Sequence, residues 1–214
     1  MLFKNLKVSL IIFLGISIVL GSMFTISCLY EEKTFLEKEL IKWQKEVSQL
    51  NQELEKMKLY VQKISKYAEV YQTTPKIITM VFTESEKHDL NPAIMLELIK
   101  TESNFNAQAV SKVGAIGLCQ IIPGTAKALA RELQLEYSEE KLFDNHYNIQ
   151  LGTYYLAKLL QEYNLDYHRA LTAYNRGPTG LANFIKTRGT AVSRYSQRIS
   201  SRSQQLTIRT TENY

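Results

Sequence analysis

In the segment NPAIMLELIKTE, residues 91–102, Met95, Leu98, Ile99 and Glu102 fall three or four positions apart and so share one face of a helix. A carboxyl that ends an apolar stripe is partly withdrawn from water, and desolvation disfavours its charged form, so it holds its proton more tightly. Such a group suits general-acid work on a leaving oxygen near neutral pH. Glu97, five positions earlier, lies about 140° around the same helix, where it is expected to pair with Lys100 in solvent. Taken alone, Glu102 reads as an ordinary helix-end residue; the stretch that follows it reverses this.

That stretch, ESNFNAQAVSKVGAIGLCQIIPGT, carries Gly114, Gly117 and Gly124 with polar Ser111 and Gln120 among small apolar residues. Glycines there permit a tight path and a close approach of backbone to a ligand. Cys119 has no histidine placed to activate it, so it is expected to be an apolar filler and not a nucleophile. His88, His146 and His168 lack metal-site spacing and read as surface or helix-end residues. No Gly-rich phosphate loop or internal repeat is present, and neither metal nor cofactor is expected.

The elements that would position these residues are almost all helical. Helices are expected at 75–87, 92–102, 123–134, 145–162, 166–175 and 178–187, and alternating strand patterns are nearly absent. Asn91-Pro92 supplies an N-cap and first-turn pair, Pro123 can open another helix, and Gly177 follows the end of a third. Asp166 reads as an N-cap and Asp144 as a loop or helix-start residue.

Ahead of this region lies VSLIIFLGISIVLGSMFTISCLY, residues 8–30, with no charged residue. Its length can cross a hydrocarbon core about 30 Å thick, so it is expected to be a transmembrane signal-anchor after a short cytoplasmic start at 1–7. Thr25-Ile26-Ser27-Cys28 is a poor lipidation site, because Thr stands where a large aliphatic residue is wanted. Lys4 and Lys7 precede the span and Lys33, Lys38, Lys42 and Lys45 follow it, so charge alone does not orient it.

From Leu36, large apolar residues recur at Leu40, Trp43, Val47, Leu50, Leu54, Met57, Val61, Ile64, Ala68 and Tyr71, in alternating steps of four and three. This is a heptad seam, and residues 31–72 are expected to form a coiled-coil stalk roughly 54 Å long over the seam, at 1.5 Å per residue. β-Branched Val47 and Val61 at one seam position, with Leu50 and Ile64 at the other, favour a parallel homodimer; a single helix packed on its own domain is the alternative. Thr73-Thr74-Pro75 stops the repeat and sets the expected domain boundary.

The 214-residue chain carries a formal net charge of +5, and that excess resides in Lys186, Arg188, Arg194, Arg198, Arg202 and Arg209, opposed in that segment by Glu212 alone. The C-terminal segment, expected to be a polar flexible tail over 201–214, is either simply solvated or drawn to anionic lipid head groups or wall polymers. No nucleic-acid partner is implied. The two cysteines, Cys28 and Cys119, imply no disulfide framework.

Four ordered blocks make the chain similar to a known family. Glu102-Ser103-x-Phe105-Asn106, then Ser111 with Gly114-Ala115-x-Gly117-Leu118-x-Gln120 and Pro123-x-Thr125, resemble the SLT-type catalytic domain of the lytic transglycosylases, within the goose-lysozyme-like superfamily. Leu151-Gly152-Thr153-Tyr154-Tyr155-Leu156 resembles the family's central helix, and Ala173-Tyr174-Asn175-Arg176-Gly177 its Ala-Tyr-Asn-x-Gly motif. Cys119 departs from the methionine common there, and Tyr195 is similar to a C-terminal tyrosine motif in a weaker match.

The resemblance covers about residues 73–200 and implies a mainly α, lysozyme-like helical domain. It implies a peptidoglycan lytic transglycosylase that cleaves the β-1,4 bond between N-acetylmuramic acid and N-acetylglucosamine without water, leaving 1,6-anhydromuramyl ends. Glu102 would be the catalyst, with Ser111, Gln120, Tyr174 and Asn175 binding sugar or, alternatively, tying helix to loop. A lysozyme-like hydrolase and a catalytically silent wall-binding scaffold are the other readings. Peptidoglycan lies outside the cytoplasmic membrane, so residues 31–214 would face the periplasm or wall from a single-pass anchor in the inner membrane.

Overall fold

The computed structural model describes the backbone of residues 2–211 and the side chains of 9–206; Met1, residues 212–214 and the side chains of Lys4, Lys7 and Arg209 lie outside the described residues. The chain divides into two compact units, Met1–Tyr60 and Val61–Tyr214. Helix α1, Leu2–Tyr71, runs through the first unit and contributes its last turns to the second. Near its N-terminus it is long and apolar enough to cross a membrane.

In the first unit the seam from Leu36 to Met57 is exposed, Leu50 at 58% and Leu54 at 52%. From Ile64 the same repeat is buried: Ile64, Ala68 and Tyr71, with Tyr67 beside them, belong to the core of the second unit. The compact unit therefore begins at Val61, earlier than the Thr73-Thr74-Pro75 break. The proline does end a helix, but the core needs the apolar turns that precede it.

The second unit contains α2 (Pro75–Lys87), α3 (Pro92–Glu102), α4 (Pro123–Glu132), a 3₁₀ turn (Glu140–Phe143), α5 (Asn145–Glu162), α6 (Tyr167–Arg188) and α7 (Arg194–Thr211). Local chemistry sets several starts. Asn91 accepts from the Ala93 amide at 2.9 Å, Asp144 from that of Tyr147 at 2.8 Å and Asp166 from that of Arg169 at 3.0 Å, each with a proline or polar residue opening the first turn. Among the described residues there is no strand, only isolated antiparallel bridges pairing Ile116 with Val110 and with Ile121.

Two expected helices, 166–175 and 178–187, are one element with a break: Gly177 has φ 72° and ψ 163°, a conformation open to glycine, and Pro178 restarts the helix. The expected flexible tail is helical through Thr211, because Ile199, Ser203 and Leu206 give α7 a buried face. That face packs on α3 and α6.

Helix α3 is central. Every residue from Ala93 to Ile99 is buried, because α2 and α7 both pack on it. Glu97 consequently does not meet Lys100 in solvent, as its helix position suggested; it is 7% exposed and accepts a 2.8 Å hydrogen bond from the Tyr71 hydroxyl. Tyr71 also packs on Phe105, and Tyr67 packs edge-on against Phe82, which fastens the end of α1 to the domain. Replacing Tyr71 by Phe strands Glu97 Oε1 in the core and should lower stability by about 1–3 kcal/mol, read by chemical denaturation of the full-length protein in detergent.

Candidate active site

Glu102 is the last residue of α3, and its helix ends because the chain turns sharply: Asn104 and Phe105 both take positive φ, 53° and 63°. Ser103 anchors the turn, its hydroxyl donating to the Leu118 carbonyl at 2.8 Å and so drawing the 104–121 loop back across the end of α3.

The loop is held from the other side by Asn148 of α5. This buried amide accepts from the Cys119 N–H at 2.7 Å and donates to the Ile116 and Leu142 carbonyls at 3.0 and 2.8 Å. A buried amide that meets three backbone groups leaves none of them stranded. Gly117, at φ 81°, lies so close to Asn148 that any Cβ would collide with its side chain.

Cys119 is buried with its sulfur against Gly152, where an added Cβ would stand 2.6 Å from Cys119 Sγ. Its carbonyl accepts a 3.0 Å hydrogen bond from Tyr174. The thiol is pushed above its ordinary range first by burial and then by the nearby Glu102 carboxyl, so it stays protonated and serves as filler.

The result is a cleft of about 370 Å³ lined by Glu102, Ser111, Gln120, Tyr155, Tyr174, Asn175 and Arg176 with several apolar neighbours, Val113, Ile121 and Ile122 among them. All five residues singled out from the sequence thus meet in one place. Their free valences differ. Both Gln120 amide protons go to backbone, the carbonyls of Ala109 at 3.1 Å and Gly117 at 2.9 Å, which leaves Oε1 to accept from a ligand. Ser111 Oγ accepts from the Ala115 amide at 3.0 Å and keeps its own proton to donate. Tyr174 has already committed its proton to Cys119, so only a lone pair remains. Asn175 is exposed at the rim.

Tyr195 completes the surroundings of the carboxyl. Its hydroxyl donates to Glu102 Oε1 at 2.5 Å, across 93 residues of sequence. It stands at the start of α7, where Ser193 and Ser196 exchange backbone and side-chain hydrogen bonds, and the Ser193 hydroxyl lies 2.8 Å from Thr172 Oγ1 on α6. The sequence carried a sign of Tyr195 in the weak C-terminal motif, but nothing that aimed it at Glu102.

Burial raises the Glu102 pKa above the ordinary glutamate value, and the Tyr195 hydrogen bond opposes that rise by favouring the charged form. The hydroxyls of Tyr174 and Tyr195 are themselves pushed well up, chiefly by burial and with Glu102 adding to it. The carboxyl therefore has the neutral hydroxyls of Tyr174 on α6 and Tyr195 on α7 about it, and among the described residues it is the one carboxyl lining the cleft. Chemically, this is a proton donor with hydrogen-bonding groups arrayed beside it and no second acid.

Comparison with known proteins places this geometry in a family. The Transglycosylase SLT domain family matches residues 79–196, more than half of the sequence, and the chain belongs to that family. It is 35% identical over 112 residues to the membrane-bound lytic murein transglycosylase C of Serratia proteamaculans (strain 568), covering 48% of this chain and 31% of that protein. It is 34% identical over 133 residues to the protein of the same name from Edwardsiella ictaluri (strain 93-146), covering 57% and 37%. The chain thus spans about a third of the length of these curated relatives. The lytic transglycosylase Slt of Pseudomonas aeruginosa, solved as an inactive mutant with glutamine in place of a glutamate, superposes with a TM-score of 0.54 at 27% identity, over 60% of this chain and 24% of that one.

The packing of Cys119 on Gly152 gives a direct test of how the site is held. Gly152→Ala forces Cys119 away and crowds the Tyr174 hydroxyl, an overpacking that should cost about 1–3 kcal/mol in the denaturation midpoint of the full-length protein.

Proposed function

We propose that the chain is a membrane-anchored lytic transglycosylase that cleaves the β-1,4 bond between N-acetylmuramic acid and N-acetylglucosamine in peptidoglycan. The observation that carries this reading is the half-buried carboxyl of Glu102, the one carboxyl among the described residues that line the cleft, beside the polar groups of Ser111, Gln120, Tyr174 and Asn175. Glu102 protonates the leaving glycosidic oxygen. As a carboxylate it then takes the proton from the muramyl C6 hydroxyl, whose oxygen closes the 1,6-anhydro ring. No water enters, and the carboxyl returns to its starting state.

The lone acid favours this route over hydrolysis through a pair of carboxylates about 5 to 5.5 Å apart, the arrangement retaining glycosidases ordinarily use. Gln120 Oε1 and the Ser111 hydroxyl would hold the sugar amide and hydroxyl groups. Tyr174 shapes the wall beside them and offers a lone pair, and Asn175 acts at the rim.

Two further parts of the proposal concern placement. The apolar segment of α1 spans the cytoplasmic membrane once, with the rest of the chain on the wall side where the substrate lies. The exposed seam from Leu36 to Met57 joins a second copy in parallel, the one sense in which two chains anchored by their N-termini can pair.

Digestion of peptidoglycan with full-length protein should release fragments with 1,6-anhydromuramyl ends by mass spectrometry; reducing ends would mark a hydrolase. Glu102→Gln should reduce the rate by about 10²–10⁴-fold. Because the acid form does the first step, kcat/KM should fall as pH rises through the elevated Glu102 pKa.

Placement has its own test. Leu50→Cys in a Cys28→Ala background should give a disulfide-linked dimer in intact cells treated with a membrane-impermeant oxidant. A chain that stays monomeric there contradicts the outward, parallel arrangement.

A further inference from the structure

Besides Glu102, the cleft has one charged lining residue among those described, Arg176. It is exposed and makes no ion pair among the described residues, although the surface of this chain carries several. Three features of α6 hold it where it is. Gly177 breaks the helix immediately after it, so the Arg176 side chain leaves the end of the first segment and not the middle of a continuous helix. Gly180 lets the restarted segment close on its stem, since a Cβ at 180 would stand 2.7 Å from Arg176 Cβ. Phe184, one turn further, places its ring under the guanidinium, 4.8 Å from Cζ to the ring centroid.

Stacking on an aromatic face orients a guanidinium and leaves its in-plane N–H groups free, and that fork matches a carboxylate. A cation so placed, with no ion-pair partner among the described residues, is available to pair with negative charge on a ligand. A strand of N-acetylglucosamine alone brings none. A muramyl residue does, through its lactyl carboxyl when unsubstituted or through the carboxyls of the peptide attached there.

We propose that Arg176 is a specificity-determining residue that recognises a carboxylate carried by the muramyl substituent, so that the cleft discriminates acidic wall glycan from neutral N-acetylglucosamine polymer. The inference rests on the wall-glycan reading above and adds the substrate feature that the site selects. An exposed charge-assisted pair of this kind, discounted for solvent, corresponds to about a tenfold difference in affinity.

The test is calorimetric binding to full-length protein in detergent, carrying Glu102→Gln so that ligands stay intact, with three oligosaccharides of equal length: peptide-free muramyl glycan, peptide-bearing muramyl glycan and chitooligosaccharide. With Arg176 present, at least one muramyl ligand should bind about tenfold tighter than the chitooligosaccharide, and the gap should narrow with added salt. Preference for the peptide-free strand identifies the lactyl carboxylate, and preference for the peptide-bearing strand identifies the peptide's. Adding Arg176→Gln should erase the gap while leaving chitooligosaccharide binding in place, and Arg176→Lys should restore part of it. Gly180→Ala, which keeps the charge but crowds the stem, should shrink it.

Equal affinities for all three ligands, or a gap that survives Arg176→Gln, overturn the inference while leaving the wall-glycan reading intact. Failure of every ligand to bind overturns both.

Discussion

The Glu102 carboxyl is subject to two opposing influences, and the rest of the domain is arranged around their balance. Burial at the end of α3 favours the neutral acid; the Tyr195 hydroxyl 2.5 Å away favours the anion. In the role proposed for Glu102, giving a proton and then taking one back, a carboxyl benefits from neither form being overwhelmingly preferred. Burial and the Tyr195 hydrogen bond are what set that balance; Arg176 lines the same cleft but is not among the groups that shift the Glu102 carboxyl.

The supports of this arrangement lie in backbone contacts more than in the cleft itself. Asn148 and Gly117 hold the 104–121 loop down on α5, Ser103 ties it to α3, and Cys119 fits the space that Gly152 leaves. The Tyr174 hydroxyl, for which the resemblance implied either a sugar contact or a tie between helix and loop, spends its proton on the Cys119 carbonyl. One residue can thus line a ligand cleft and still be part of the frame, which is why the polar residues of such a site differ in what they can offer.

Much of this was legible beforehand because it depends on local chemistry. The starts of α2, α3, α4 and α5 follow from proline and side-chain caps, and Glu102 could be separated from Glu97 by helix face. Where the reading failed, the cause was tertiary. The position of Glu97 on its helix suggests a wet face, whereas α3 is enclosed on both sides and the Glu97 carboxyl meets Tyr71. The proline at 75 marks a helix end and not the start of the compact unit, because the heptad repeat that precedes it changes partner at Ile64, from an open seam to the domain's own core. Tyr195 lies 93 residues from Glu102, and no local pattern can state such a pairing. Arg176 was visible in its motif, but its lack of an ion pair among the described residues was not.

The surroundings of Glu102 raise its pKa above the ordinary glutamate value. Carbon-detected NMR titration of the side-chain carboxyl of Glu102, assigned by its loss in Glu102→Gln, measures this in the full-length protein without relying on turnover. The account predicts a midpoint above that of an ordinary glutamate, rising further in Tyr195→Phe as the hydrogen bond to the anion is lost. A midpoint at or below the ordinary value would contradict it.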